Sequence, residues 1–223
     1  MPEEEKVRSV FNSIYNKYDL IDSLISFGMD SSWRRTMISM AGSRQYGSIL
    51  DCGAGTGKLT VQLRKKYPDA RIVALDVSEQ MISLIPDSSI EKVVGSAVEL
   101  PFEDGSFDLV TSAFLTRNVP SIDQYLREAY RVLKRDGVLI NLDIHAPGNH
   151  WYRKIFSLYF FHIVPKMGDM LTGSNSYSYL SNSVKNFVDP GEMISKAKNA
   201  GFSPERKVLK AMQSISIIRF HKL

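Results

Sequence analysis

Three glycines at every second position, Gly53, Gly55 and Gly57, follow an acid, Asp51, at the end of the apolar run Ile49-Leu50. A second acid, Asp76, closes the next apolar run, Ile72-Val73-Ala74-Leu75. A glycine turn lets a ligand lie against bare backbone, because no Cβ stands in the way. An acid ending the second strand can accept hydrogen bonds from both hydroxyls of a ribose. Together these residues describe a nucleoside site. A dinucleotide fold would carry G-x-G-x-x-G, but Lys58 stands where its last glycine belongs. A phosphate loop is equally absent, since Leu59 follows Gly57-Lys58. The turn therefore suits a nucleoside without a pyrophosphate. Two plainer readings stand beside this one: a tight turn with no ligand, and Asp76 as the N-cap of a helix entered at Ser78 and Glu79.

Cys52 is the only cysteine, which excludes an intrachain disulfide and a thiolate zinc cluster. Beside Asp51 it reads as a small buried filler, and no metal site is expected. The net charge of +4 is mild and its lysines and arginines are scattered, so nucleic-acid binding is not expected. The densest run, Arg64-Lys65-Lys66, falls at a helix end, where cations suit the carbonyl pole. The acidic start, Glu3-Glu4-Glu5, lacks the pattern of a signal peptide. The most apolar run, residues 155–164, is half of the ~20 residues that span a bilayer. An intracellular, cytoplasmic protein is the expectation.

The elements that must position these residues follow from periodicity. Apolar residues at helical spacing from Val7 to Ile25 predict a helix over 7–27 ended by Gly28, with a second helix from Ser32 to Ala41. Strands are predicted at 48–52, 71–76, 91–95, 107–113 and 137–144, and helices at 58–67, 78–85, 122–134 and 190–200. This alternation is that of a doubly wound α/β fold with a mostly parallel sheet. Two further β-type runs, 206–209 and 213–221, predict a C-terminal hairpin and hence an antiparallel strand. Residues 148–188, rich in aromatics, methionine and serine, are too long for a connection and read as an inserted helical cap on the substrate side. Within them, His150 to Phe161 predict one largely apolar helix, either core or a hydrophobic wall, with Arg153 and Lys154 placed for acidic lipid head groups. Tyr177 and Tyr179 are expected in a serine-rich loop. The whole chain, 1–223, is read as one domain, with residues 1–45 as its N-terminal helices.

The pattern acid-x-G-x-G-x-G with a second-strand acid resembles motifs I and II of the class I S-adenosylmethionine-dependent methyltransferases. Reading outward, the likeness narrows to the ubiquinone/menaquinone biosynthesis C-methyltransferase family. It is carried by Val10-Phe11, Tyr18-Asp19, Ser26-Phe27-Gly28, Trp33-Arg34, Leu100-Pro101-Phe102, Ser106-Phe107-Asp108, Phe114, Arg117-Asn118-Val119 and Tyr130-Arg131-Val132-Leu133-Lys134. It continues through Pro165-Lys166-Met167-Gly168, Tyr177-Ser178-Tyr179-Leu180 with Ser183, and Ala200-Gly201-Phe202, nearly the whole chain. The resemblance implies a Rossmann-like seven-stranded sheet and S-adenosyl-L-methionine as cofactor. It places cofactor contacts on the glycine turn, Thr56, Asp76, Ser96, Ala97 and Ala113. The chain departs from the family's usual residues with Asp22 for Asn, Asp30 for His, Ser96 for Asn or Asp, Ala113 for Ser, Leu115-Thr116 for Gly-hydrophobic, and Arg135-Asp136 for Pro-Gly.

The implied reaction is C-methylation of a prenylated quinol, with demethylmenaquinol as the expected acceptor. The nucleophile is a ring carbon activated by an adjacent hydroxyl. Arg117 is expected to favour the quinolate by charge, and Asn118 to hydrogen-bond the oxygen and set the ring's angle. The general base is either water held by Arg117 or His145, after the fifth strand; the plainer reading of His145 is a satisfied loop histidine. Peripheral membrane contact and a homodimer are left open. Rival readings are a methyltransferase for another small molecule and a non-catalytic S-adenosylmethionine-binding component of a quinone-synthesis complex.

Overall fold

The computed structural model describes residues 4–148, 151–172, 176–185 and 187–223. Two helices, α1 (Glu4–Ile25) and α2 (Met29–Met40), precede the sheet. There follow β1 (Ser48–Cys52), α3 (Lys58–Lys66), β2 (Arg71–Asp76), α4 (Glu79–Ser83), β3 (Glu91–Val94) and β4 (Phe107–Ala113). A single 3-10 turn over Thr116–Asn118 leads to α5 (Ile122–Val132) and β5 (Leu133–Ile144). The sheet order is β3-β2-β1-β4-β5-β7-β6, where β6 is Phe202–Lys210 and β7 is Ile215–Lys222. Strands β1 to β5 run parallel, and β7 lies antiparallel to both β5 and β6. This is the expected architecture.

Alternation along each strand divides the core between the two sheet faces. Ile49, Ile72, Leu109, Ile140 and Ile217 face α2 and α3 with Met37, Leu59 and Leu63. Leu50, Val73, Val110, Leu139 and Ile218 face α5 and α9 (Pro190–Asn199) with Tyr125, Leu126, Ala129, Met193 and Ala197. The chain order reverses between β1 and β4, so the carboxyl ends of β1, β2 and β4 open one crevice, where such sheets bind ligands.

The segment between β5 and α9 is helical, as expected, but its parts differ. Residues 151–161 do not form one helix. Instead α6 (Arg153–Leu158) passes into a π turn (Tyr159–Ile163) and then α7 (Val164–Thr172); His150 lies outside the described residues. Tyr177 and Tyr179 stand on α8 (Ser176–Lys185), not in a loop. Serine content suggested a loop, but Asp169 accepts from the backbone N–H groups of Tyr177 and Ser178 at 2.8 and 3.3 Å, satisfying donors in the helix's first turn. A small third cluster joins this cap to α1 through Ile14, Ile21, Val164 and Tyr177.

Candidate functional site

The glycine turn takes the backbone shape that its composition allows. Gly53, Gly55 and Gly57 have φ of 67°, 55° and 83°, all in the left-handed region. A Cβ on Gly57 would lie 2.7 Å from Ile85, and one on Gly53 would lie 2.8 Å from Leu115. The turn is fixed from β2: the Gly53 and Ala54 N–H groups donate to the Leu75 carbonyl at 2.7 and 3.0 Å. Asp76 then accepts from the Gly55 N–H at 2.8 Å on Oδ2 and from the Ser78 N–H at 2.9 Å on Oδ1. Each oxygen keeps a further lone pair for a ribose hydroxyl. Burial raises the Asp76 carboxyl, partly offset by those N–H donors. The N-cap of α4 is Ser78, which accepts from the Met81 N–H at 3.1 Å; capping is not the role of Asp76.

An open cleft of about 870 Å³ lies over this turn. Asp51, Gly53, Gly55, Thr56, Asp76, Ala97 and Ala113 line it, as does Asn118. Ser96 does not; its hydroxyl donates to Glu4, and it is Glu4 that reaches the cleft. Asp51 is buried with both oxygens engaged, accepting from Thr60 at 2.6 Å and Thr111 at 2.9 Å. Burial lifts its carboxyl to about 6. It anchors the end of β1 from below the turn. The fit to an adenosine compound thus rests on a cradle that side chains would fill and on a carboxylate with spare acceptors.

Helix α1 closes this cleft from above. Asn12 accepts from Ser78 at 2.5 Å, and Thr56 donates to Asp19 at 2.8 Å. Lys58, the residue that excluded a dinucleotide turn, reaches the Asp19 carbonyl at 3.2 Å and the carboxylates of Asp22 and Asp30 at 3.4 Å each. Arg34 pairs with Asp30 at 2.5 Å in a buried contact. The N-terminal helices are therefore tied to the glycine turn by charge.

A second, larger and mainly apolar groove of about 1530 Å³ adjoins the cleft. Tyr18 and Phe114 line both. Phe114 has φ of 63°, strained for a phenylalanine, and its carbonyl accepts from Arg117 at 2.8 Å and Asn118 at 3.2 Å. Arg117 lines the groove and Asn118 the cleft, so the pair spans the junction. The Arg117 charge is not free: the buried Asp143 holds it at 2.6 Å and also accepts from Thr116 at 2.7 Å. What Arg117 retains is a buried Nε without a partner, and Asn118 retains an unpartnered Oδ1.

His145 is not brought to this junction. It lines neither cavity, its Nδ1 sits 3.1 Å from the Ala146 carbonyl, and burial lowers its imidazole below the ordinary range. Leu115, one of the departures from the family's usual residues, lines the cofactor cleft against Gly53, while Thr116 is fully buried. Sequence reasoning missed Asp143, although the signal that found Asp51 and Asp76, an acid closing an apolar strand, was present there too. Tyr18 and Phe114 carry the family resemblance, but nothing local marks them as the shared wall.

The model of the ubiE/COQ5 methyltransferase family matches residues 1–217. A ubiquinone/menaquinone biosynthesis C-methyltransferase UbiE of Dinoroseobacter shibae is 35% identical over 205 residues, covering 88% of this chain and 82% of that protein. A demethylmenaquinone methyltransferase of Thermotoga maritima is 38% identical over 197 residues, covering 86% of each. Among solved structures, a SAM-dependent methyltransferase of Thermotoga maritima superposes with a TM-score of 0.70 at 18% identity, covering 97% of this chain and 99% of that one. The cyclase SpnF reaches 0.73 at 12% identity, covering 99% and 96%. At such identities the likeness concerns fold alone, and a cyclase among the neighbours makes the point.

Proposed function

The chain belongs to the ubiE/COQ5 methyltransferase family, and from that premise we propose that it methylates a ring carbon of a prenylated quinol, with demethylmenaquinol as the preferred acceptor. S-adenosylmethionine, when bound, supplies a methyl already made electrophilic by its sulfonium. Asp76 would hold the ribose, and the backbone of Gly53, Gly55 and Thr56 would run beneath the amino-acid portion, with Ala97 and Ala113 as walls. Ser96 would act through Glu4 instead of touching the cofactor. Arg117, oriented by Asp143, offers a guanidinium donor to the ring oxygen, and Asn118 sets the ring's angle at the junction. Because Asp143 compensates the guanidinium, Arg117 works as a directed donor more than as a net charge.

The observation that carries this reading is the apolar groove meeting the cofactor cleft at Tyr18 and Phe114. A ring at the junction would leave its tail among Ile25, Trp33, Phe156 and Phe160. At about 0.8 kcal/mol per buried methylene, each methylene buried contributes about fourfold in affinity, so even a part-buried isoprene unit contributes more than tenfold. A quinol without a tail should therefore show a KM at least tenfold higher than its prenylated counterpart. Equal KM values would contradict the assignment of the groove.

The groove's rim includes the exposed Phe27, Met29, Ile155 and Met212, with Trp151 and Leu158 exposed nearby in the chain. No described helix is long and apolar enough to cross a membrane. This rim, with Arg153 and Lys154 beside it in sequence, supports shallow contact with an anionic bilayer, from which a prenylated substrate would enter. Flotation with anionic vesicles tests it: protein left wholly unbound, with or without substrate, would refute the contact.

A further inference from the structure

The proposed reaction needs a group that takes the proton from the ring hydroxyl; His145 lies away from the junction, and Arg117, paired with Asp143, would act only through water. We propose that Asp22 is the general base of the methyl transfer. This rests on the quinol reading above and assigns a residue within that same site.

Among the described residues Asp22 is the only carboxylate lining the apolar groove, which it shares with Tyr18 and Arg117. It reaches that wall because it lies on α1 one turn after Tyr18. Its two oxygens are not equivalent. Lys58 and Arg34 both approach Oδ2, at 3.4 and 3.6 Å. Oδ1 takes no hydrogen bond or ion pair among the described residues. One oxygen is thus anchored by two cations, and the other is left to accept from a ligand in the groove.

The surrounding charges suit a base that must be ionised when substrate arrives. From α1 come Tyr18 and Asp19, from α2 Asp30 and Arg34, from α3 Lys58, from the 3-10 turn Arg117, and from α8 Tyr177. Asp30 is occupied by Arg34 and Lys58, which hold its carboxyl low. Burial raises the Asp22 carboxyl despite the cations on its other oxygen. A more basic carboxylate is the better proton acceptor at neutral pH.

Asp22 Oδ1 takes the hydroxyl proton as the O–H pair becomes a carbonyl π bond. In the same movement the adjacent ring π pair forms the new carbon–carbon bond to the methyl, and the methyl–sulfur bond breaks with its pair remaining on sulfur. The methylated ring carbon next releases its own proton to water, and Asp22 returns the first proton to the oxygen, restoring the aromatic quinol. One proton is released overall.

The test compares the pH dependence of kcat for the wild type and Asp22→Asn on a reduced prenylated demethylquinone, at saturating S-adenosylmethionine. The wild type should lose activity on an acid limb with an apparent pKa above the ordinary carboxylate range. Asp22→Asn should lower kcat at pH 7.5 by at least about 100-fold and abolish that limb. Its melting temperature and cofactor dissociation constant should stay close to the wild type, because the amide oxygen can still meet Lys58 and Arg34. A wild-type kcat that is flat down to pH 5 would overturn the proposal without any variant. So would an Asp22→Asn enzyme with near wild-type kcat and the limb unmoved. No wild-type transfer to any quinol would instead overturn the function, and the role of Asp22 with it.

Discussion

At the residue scale, the junction is defined by what each side chain has left over after internal bonding. Arg117 and Asn118 both clamp the Phe114 carbonyl, yet each keeps one buried polar atom without a partner. Such atoms are costly unless a ligand meets them. The two residues differ in what else they hold. Arg117→Ala would strand the buried Asp143 carboxylate, and breaking a buried pair costs about 3–5 kcal/mol. That variant should lose turnover and also melt well below the wild type. Asn118→Ala gives up one neutral hydrogen bond worth about 1 kcal/mol, so it should lose turnover with little change in melting or cofactor affinity. Equal melting temperatures for Arg117→Ala and the wild type would show that the Asp143 pair is not structural. The sequence made both residues visible through their resemblance to a known pair. It did not reveal that the charge of Arg117 is compensated, since its partner lies 26 positions away on another strand.

At the element scale, periodicity located β1, β2 and β4 to the residue, because all three are buried and end at sharp turns. It failed where chain geometry departs from simple period. Strand β5 begins at Leu133, not 137, because its pairing with β4 jumps from Leu133 to Val138 across an irregularity. Asp136 sits within that irregularity with φ of 60°. The left-handed region costs a non-glycine residue about 1–2 kcal/mol, somewhat less for Asp. Asp136 is exposed, and its 3.6 Å approach to His221 contributes little. Asp136→Gly should therefore raise the melting temperature by about 2–4 °C. A lower melting temperature would mean that the Asp136 side chain contributes more than its backbone strain costs. The cap was legible as helical, but not its π turn, which no pattern of residue types announces, nor α8, whose serines suggested a loop.

At the scale of the whole molecule, one buried acid couples the cofactor cleft to pH. Asp51 in the folded state is raised to about 6, against an unfolded value near 3.9. Its protonated form is thus favoured by folding. That contribution is present in full below about pH 4 and is lost as pH rises through about 6. Two units correspond to roughly 3 kcal/mol. Asp51→Asn, which can still bond Thr60 and Thr111, should lack this loss. Relative to the variant, the wild type should become less stable between pH 4 and pH 7 in matched thermal melts. Parallel curves would contradict the assignment. The same scale explains why α1 escaped a functional reading: its apolar spacing suggested packing alone, whereas Asn12, Asp19 and Asp22 on its other positions bind, in turn, the N-cap of α4, the glycine turn and α3.

The central claim is that a cofactor held over the glycine turn presents its methyl to a quinol ring carbon beyond Tyr18 and Phe114. The most direct measurement uses S-adenosylmethionine carrying a ¹³C methyl, a reduced prenylated demethylquinone, and NMR of the product. The label should appear as a methyl on a ring carbon. Label on a ring oxygen, or none on the quinol while the protein binds the cofactor, would contradict the account.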